Sequence, residues 1–406
     1  MKIHNEQLFE NFYKHEKLNV AILTDIYLPF VGGAGMVADK LAKGLYESNK
    51  VNVVVITGNV KGYEDKVNYP VIRCKSMAIP KAWGDSLPLP NLDPKLKKLL
   101  INLNIDVIHI HSIFGLCNYG LKFAKKHNIP VVMHCHSKFS EEFPTIIKFK
   151  PLCNAVIKRN YKVIDKGNLI IAVSNNTKEN LLAHNIKSNI EVIPNATDLT
   201  ECLEKEKAFE YIKEKHNIET TEKNILMCAC RISIECKNLD FLLRSLKIVK
   251  EKNVNFKFLM LGSGSDDKKF KELVNDFNLT ENVIMTGSIT NREILKYYYL
   301  RSDLFLFPST VDNCPLVKSE AASQKTPTIA IKHTGSSEGI IDEFNGYISD
   351  LNEEDYANKI INALSDYEKL KNTSINAQKT LATTWDIVAE KCIELYKDVI
   401  KNNKSA

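Results

Sequence analysis

Two carboxylates, Asp312 and Glu320, bracket Pro315 in the stretch DNCPLVKSE, which lies between the apolar runs LFLFPS and TPTIAI. An acid, a proline and a second acid suit a loop that opens a short helix. Pro315 fits the first helical position, where its missing N–H costs nothing. The N–H groups of Leu316 and Val317 then point forward without intrahelical partners, at the positive end of the helix dipole. That is a seat for an anion such as phosphate. Glu320 lies four residues beyond Leu316, about 6 Å along the axis at ~1.5 Å per residue. This is the kind of span that separates a diphosphate from the ribose of a nucleotide, so Glu320 is placed to accept ribose hydroxyls. Asp312 would reach a sugar on the other side of the phosphates. The plainer reading stays open beside it: Asp312 caps the helix and Glu320 is surface.

Other groups fall just after apolar runs. Arg231 follows LMCAC, and Lys237 comes six residues later. Two such cations suit a diphosphate, arginine giving a forked contact and lysine a point charge, although a pair of this kind is commonly surface charge. Gly32 and Gly33, in TDIYLPFVGGAG, open a helical pattern. Glycine there lets the backbone approach a ligand, while an ordinary turn needs it equally. His109 and His111 in DVIHIH, and His134 and His136 in VVMHCHS, alternate, so each pair shares one strand face. A di-histidine metal site is the rival to substrate or backbone hydrogen bonding. No carboxylate stands at the usual ligand spacing, and Asp-x-Asp is absent from the chain. Cys228, Cys230 and Cys236 lack a recurring paired spacing. No metal ligand set is expected.

These groups need elements to hold them. From residue 19 the runs NVAILTD, VNVVVITG, DVIHIH, VVMHCH, LIIAVS and IEVIPN read as strands. Most are continuous rather than alternating, as in parallel strands covered on both faces. Helical patterns separate them. The series restarts with NILMCAC, FKFLML, NVIMTGS, LFLFPS and TPTIAI, and beyond residue 350 the chain reads helical. Two doubly wound α/β units meeting near residues 196–205 follow. Ligands of such sheets bind beyond the carboxyl ends of the strands, so the cleft between two units is the expected site.

The bulk numbers agree. At 406 residues two domains are the expectation. The composition, 44% hydrophobic and 26% charged, is that of a globular protein. No apolar run approaches the ~20 residues that cross a bilayer, and the first 18 residues lack the apolar centre of a signal peptide. Ten cysteines are scattered, mostly in apolar strands. A cytoplasmic location is expected. The charge is uneven, +9 over residues 1–198 and −3 over 199–406. The basic excess clusters, with apolar residues interleaved, at 138–166. That segment reads either as a helix on an anionic membrane or as a packed helix with a solvated lysine face. No nucleic-acid signature is present.

Taken in order, the Gly-Gly turn, HIHS, PVVMHCHS, AVSNNTKENL, VIPNATD, Arg231 with Lys237, LGSGSDD, DNCPLVKSEAASQKTP, GSSEGI and TTWDIVAEKCIELY resemble the retaining glycosyltransferases of family 4. The likeness runs from about residue 18 to 400. It implies the GT-B fold, two Rossmann-like domains with an interdomain cleft. Residues 1–197 would be an acceptor-binding domain and 198–384 a nucleotide-sugar donor-binding domain, with 385–406 a helix crossing back to the first. It implies that Arg231 and Lys237 bind the donor diphosphate and Glu320 the ribose. Backbone at Asn313, Cys314, Pro315, Leu316 and Val317 would hold sugar and phosphate, Gly32 and Gly33 the donor, and Ile289 the base. His136 matches the family's active-site histidine. Three positions depart: Asp312 stands where glutamate is usual, Lys325 where glycine is, and His134 where threonine is.

The implied reaction is retaining, metal-independent transfer of a hexose from a nucleotide sugar, with UDP the expected nucleotide. The acceptor would be a saccharide or a lipid-linked group, the purpose cell-surface polysaccharide or glycoconjugate synthesis, the place the inner face of the membrane. No cofactor is implied. Two other readings remain: a non-catalytic GT-B partner subunit that binds sugar nucleotide, and a metal-dependent hydrolase using the histidine pairs.

Overall fold

The run VNVVVITG, Val51–Gly58, forms a strand buried at every position, as a continuous apolar run must be when both sheet faces are covered. It lies near the middle of the first of two α/β units in a computed structural model that describes residues 1–30, 32–78 and 86–405. One unit comprises Met1–Asn195 and the stretch from Thr384 onward; the other is Ala196–Thr383.

The strands of the first unit are β1 (Lys2–His4), β2 (Leu18–Leu23), β3 (Val51–Gly58), β4 (Val71–Cys74), β5 (Ser76–Ala78), β6 (Ser86–Pro88), β7 (Val107–Ile110), β8 (Val131–Cys135), β9 (Leu169–Ala172) and β10 (Asn189–Val192). Eight of them make one sheet in the order β1-β4-β3-β2-β7-β8-β9-β10. All its pairs are parallel except β1 on β4. Helices connect most of the parallel strands, the architecture that a parallel crossover requires. The last helix, Trp385–Ser405, packs on the Gly33–Glu47 helix of this unit. Gly44 makes the approach possible, because a Cβ there would lie 2.8 Å from the Trp385 carbonyl oxygen.

The second unit adds β11 (Ile225–Ala229), β12 (Lys257–Leu261), β13 (Val283–Gly287), β14 (Leu304–Phe307), β15 (Thr328–Ile331) and β16 (Tyr347–Ser349). They form a wholly parallel sheet in the order β13-β12-β11-β14-β15-β16. The order reverses direction between β11 and β14, and the loops after these two strands carry Arg231, Lys237 and Asp312. That reversal is the switch point at which such sheets bind ligands.

Every apolar run named above is a strand. Unforeseen are β1, β4, β5, β6 and β16, all of three or four residues, too short to show a period. The stretch GDSLPLPNLDP reads as a loop, but from Ser86 it builds β6 and then a 3-10 turn, Pro90–Leu92; its first two residues lie outside the described ones.

Candidate active site

In the second unit, β14 ends at Phe307 and the chain loops to a helix over Leu316–Ser323. Pro315 is not the first helical residue. Its φ of −69° is helical but its ψ of 127° is extended, so it is the cap and the helix begins one residue later. Leu316 and Val317 are then the first two helical residues, whose N–H groups have no intrahelical acceptor. Lys318 N–H bonds Pro315 O at 3.3 Å.

Asp312 does not cap that helix. Its carboxylate accepts both the Ser309 hydroxyl and the Lys237 ammonium, the latter at 2.8 Å on Oδ1 and 2.7 Å on Oδ2. Lys237 ends the short Ile234–Lys237 helix, and its ammonium also lies 5.9 Å from the Phe307 ring centroid. Arg231 is exposed and has no side-chain partner among the described residues. Asn313 is buried and Cys314 half-buried. The GSSEG segment closes over them: a Cβ on Gly335 would fall 2.2 Å from the Asn313 carbonyl oxygen, so only glycine fits. Ile289, after β13, is half-buried and packs on the unit's hydrophobic core.

Glu320 is not a surface residue; it is 7% exposed. Oε1 accepts Arg292 Nη2 at 2.8 Å and Oε2 accepts the Tyr299 hydroxyl at 3.0 Å. Arg292 also bonds Asp198. A carboxylate held at both oxygens has its plane fixed and keeps lone pairs for a further donor. Arg292, Tyr299 and Asp198 escaped notice in the sequence because no spacing relates them to Glu320. Lys318 is a second omission. It is buried, its ammonium donates to Glu338 O at 2.6 Å, and burial pulls its pKa down.

In the first unit, Gly32 caps and Gly33 opens the Gly33–Glu47 helix. A Cβ at Gly33 would meet nothing within 4 Å among the described residues, so packing against them does not demand glycine there. Asp25, just after β2, is buried; it accepts the Ser112 hydroxyl and Leu116 N–H at 2.9 Å, and burial raises its pKa. It holds the start of the Gly115–His127 helix against the β2 end.

The two histidine pairs meet. β7 and β8 are neighbours, with His109 opposite Val132 and Ile110 opposite Met133, so all four rings project from one face. His111 Nδ1 lies 3.1 Å from His136 Nε2, and His109 Nδ1 lies 2.6 Å from the Tyr396 hydroxyl. Burial lowers His136 to about 4 and His109 to about 3, and pulls His111 and His134 well down too. The rings are therefore neutral at neutral pH. His136, His134 and His111 edge an apolar cavity with Ile113, Phe139 and Phe143.

Two family models match the chain: "Glycosyltransferase Family 4" over residues 31–201 and "Glycosyl transferases group 1" over 208–380. Among curated proteins, the alpha-monoglucosyldiacylglycerol synthase of Acholeplasma laidlawii is 25% identical over 398 residues, covering 95% of this chain and 99% of that protein. The GPI3 subunit of the Saccharomyces cerevisiae phosphatidylinositol N-acetylglucosaminyltransferase is 22% identical over 400 residues, covering 94% and 83%. Among solved structures, sucrose-phosphate synthase from Thermosynechococcus elongatus superposes with a TM-score of 0.77 at 18% identity, over 95% of this chain and all of that one. Anabaena HepE in complex with UDP and glucose gives 0.72 at 17%, over 94% and 99%. Matched in its first half by one model and in its second by the other, the chain has the GT-B fold, belongs to the family 4 glycosyltransferases and is a glycosyltransferase.

Proposed function

We propose that the protein is a retaining, metal-independent hexosyltransferase that moves sugar from a UDP-sugar to a lipid acceptor at an anionic membrane surface. The observation that carries this is the arrangement at the β11–β14 switch point: a helix tip at Leu316, a lysine held on Asp312, and an exposed arginine. Arg231, Lys237 and the tip amides would stabilise the charge that develops on the departing diphosphate, a preorganised electrostatic device that calls for no metal. The acceptor hydroxyl attacks the anomeric carbon from the side the diphosphate leaves, and its proton passes to a phosphate oxygen. Glu320, with its plane set by Arg292 and Tyr299, accepts the ribose hydroxyls. Ile289 lies against the base, and Asp312 bonds the sugar. A neutral His136 suits a hydrogen-bonding role toward the hexose rather than that of a cation.

Support for UDP comes from the HepE complex with UDP-glucose. Support for a lipid acceptor comes from the lipids in the names of the two curated relatives, monoglucosyldiacylglycerol and phosphatidylinositol. The surface of the first unit agrees. Ile146, Phe149 and Leu152 are 63%, 68% and 53% exposed, with Lys148, Lys150, Lys158, Arg159 and Lys162 close in sequence. Exposed apolar side chains among cations suit a face that sinks into anionic lipid. None of the described helices is long and apolar enough to cross a membrane.

A thermal-shift panel of nucleotide sugars, followed by transfer to diacylglycerol in phosphatidylglycerol vesicles, tests the reading. A UDP-sugar should raise the melting temperature, since it binds only the folded state, and the product should keep the donor's anomeric configuration. A panel with no hit, or an inverted product, would overturn it.

A further inference from the structure

His109, His111 and His134 are 0%, 3% and 4% exposed. Four of their six ring nitrogens, His109 Nε2, His111 Nε2 and both nitrogens of His134, have no hydrogen-bond partner among the described residues. A buried polar atom left this way is destabilising, and such groups in native proteins call for a specific explanation, an ion or water among them. Here the unpartnered atoms are gathered. The nitrogens that the three side chains offer all lie within 4.8 Å of one another, and the ring centroids of His111 stand 4.5 Å from His109 and 4.6 Å from His134.

The other nitrogens are held as a metal site would hold them. His109 Nδ1 faces the Tyr396 hydroxyl at 2.6 Å and His111 Nδ1 faces His136 Nε2 at 3.1 Å. With the proton on Nδ1 of both rings, where each has an acceptor, Nε2 of each carries a bare lone pair. Fixing the tautomer through the far nitrogen is what outer partners do for ligating histidines.

From this we infer that His109, His111 and His134 bind one transition-metal ion of the imidazole-preferring class, Zn²⁺ first. The ion ties β7 to β8 and, through Tyr396, to the Trp385–Ser405 helix. Tetrahedral ligation at ~2.0–2.1 Å requires nitrogens about 3.3 Å apart. The observed nitrogens lie within 4.8 Å, and the His109 and His134 rings are stacked 7° from parallel, so ligation requires the rings to turn about their side-chain torsions. An all-imidazole set excludes the hard cations Mg²⁺ and Ca²⁺, which take oxygen ligands. The ion is distinct from the phosphate-binding groups: its ligands all belong to the first unit, and the groups assigned above to the diphosphate all belong to the second. Three histidines leave a fourth position toward the cavity edged by His136.

The test uses the full chain stripped with a chelator and titrated with ZnCl₂ by calorimetry, with Co²⁺ as the spectroscopic probe. The expected result is one Zn²⁺ per chain, a higher melting temperature, and intense visible Co²⁺ bands of tetrahedral nitrogen ligation. His134→Thr, and separately His111→Asn, should weaken Zn²⁺ by about 100-fold or more, given that loss of an outer partner alone costs 10–100-fold. Absence of stoichiometric Zn²⁺, a weak octahedral Co²⁺ spectrum, an equal response to Mg²⁺, or binding unchanged in a folded His134→Thr chain would each overturn the site. If both variants fail to fold, the wild-type Co²⁺ spectrum decides alone.

Discussion

The Lys237 ammonium sits 2.8 Å from Oδ1 and 2.7 Å from Oδ2 of Asp312, a bidentate contact between residues contributed by two different strand-end loops. Their side chains are 18% and 24% exposed, so the pair is shielded enough to be directional and open enough to exchange partners. In the proposed mechanism Asp312 would orient a cation that an incoming diphosphate then shares.

Replacing that lysine tests the assignment directly. Lys237→Ala should lower kcat/KM by about 2–3 kcal/mol of transition-state stabilisation, the scale of a preorganised charge contact. Steady-state kinetics with the identified donor measures it, and near wild-type transfer would remove Lys237 from the mechanism.

Glu320 carries a burden toward the protein and, in the proposed mechanism, a second toward the donor. Glu320→Gln keeps a hydrogen-bonding acceptor for Tyr299 but withdraws the charge from Arg292. We expect a loss of about 1–2 kcal/mol in stability together with weaker UDP binding. Calorimetry giving wild-type UDP affinity in the folded variant would leave Glu320 a structural residue only.

Lys325 occupies backbone at φ 62°, the left-handed region, which costs an ordinary residue about 1–2 kcal/mol and glycine little. Its ion pair with Glu201, at 2.6 Å, is 41% and 38% exposed and contributes at most about 1 kcal/mol. Lys325→Gly should therefore gain about 0.5–1 kcal/mol, read as a higher melting temperature. A lower one would mean that the ion pair outweighs the backbone term.

Membrane docking predicts a graded loss. Burying Phe149 in lipid is worth on the order of 1–2 kcal/mol for a side chain already part-covered, so Phe149→Ser should weaken sedimentation with anionic vesicles about tenfold. Wild-type protein that stays in the supernatant at low salt sinks the proposal outright.

A donor held by cations and helix amides predicts indifference to chelators. EDTA should leave the initial rate of transfer within about twofold, since the fixed charges supply the electrostatic stabilisation. A rate abolished by EDTA and restored by Mg²⁺ or Mn²⁺ would show that a hard cation holds the phosphates.

Periodicity and composition are local, and what they determine here is local. Mainly apolar, non-alternating runs such as Val51–Gly58 and Leu304–Phe307 announce doubly covered strands, because burial on both faces favours apolar side chains at consecutive positions. The alternation of such runs with helical patterns is enough to announce parallel α/β units. The switch from extended backbone at Pro315 to helix at Leu316 is misplaced by a single residue, since proline restricts φ and leaves ψ to its surroundings. Partners are another matter. That Glu320 faces Arg292 and Tyr299, that Asp312 takes Lys237, and that His111 reaches His136 while His109 reaches Tyr396 depend on strand order, register and helix packing. Those are decided by which apolar faces pack together, a property of the whole chain that no window of residues contains.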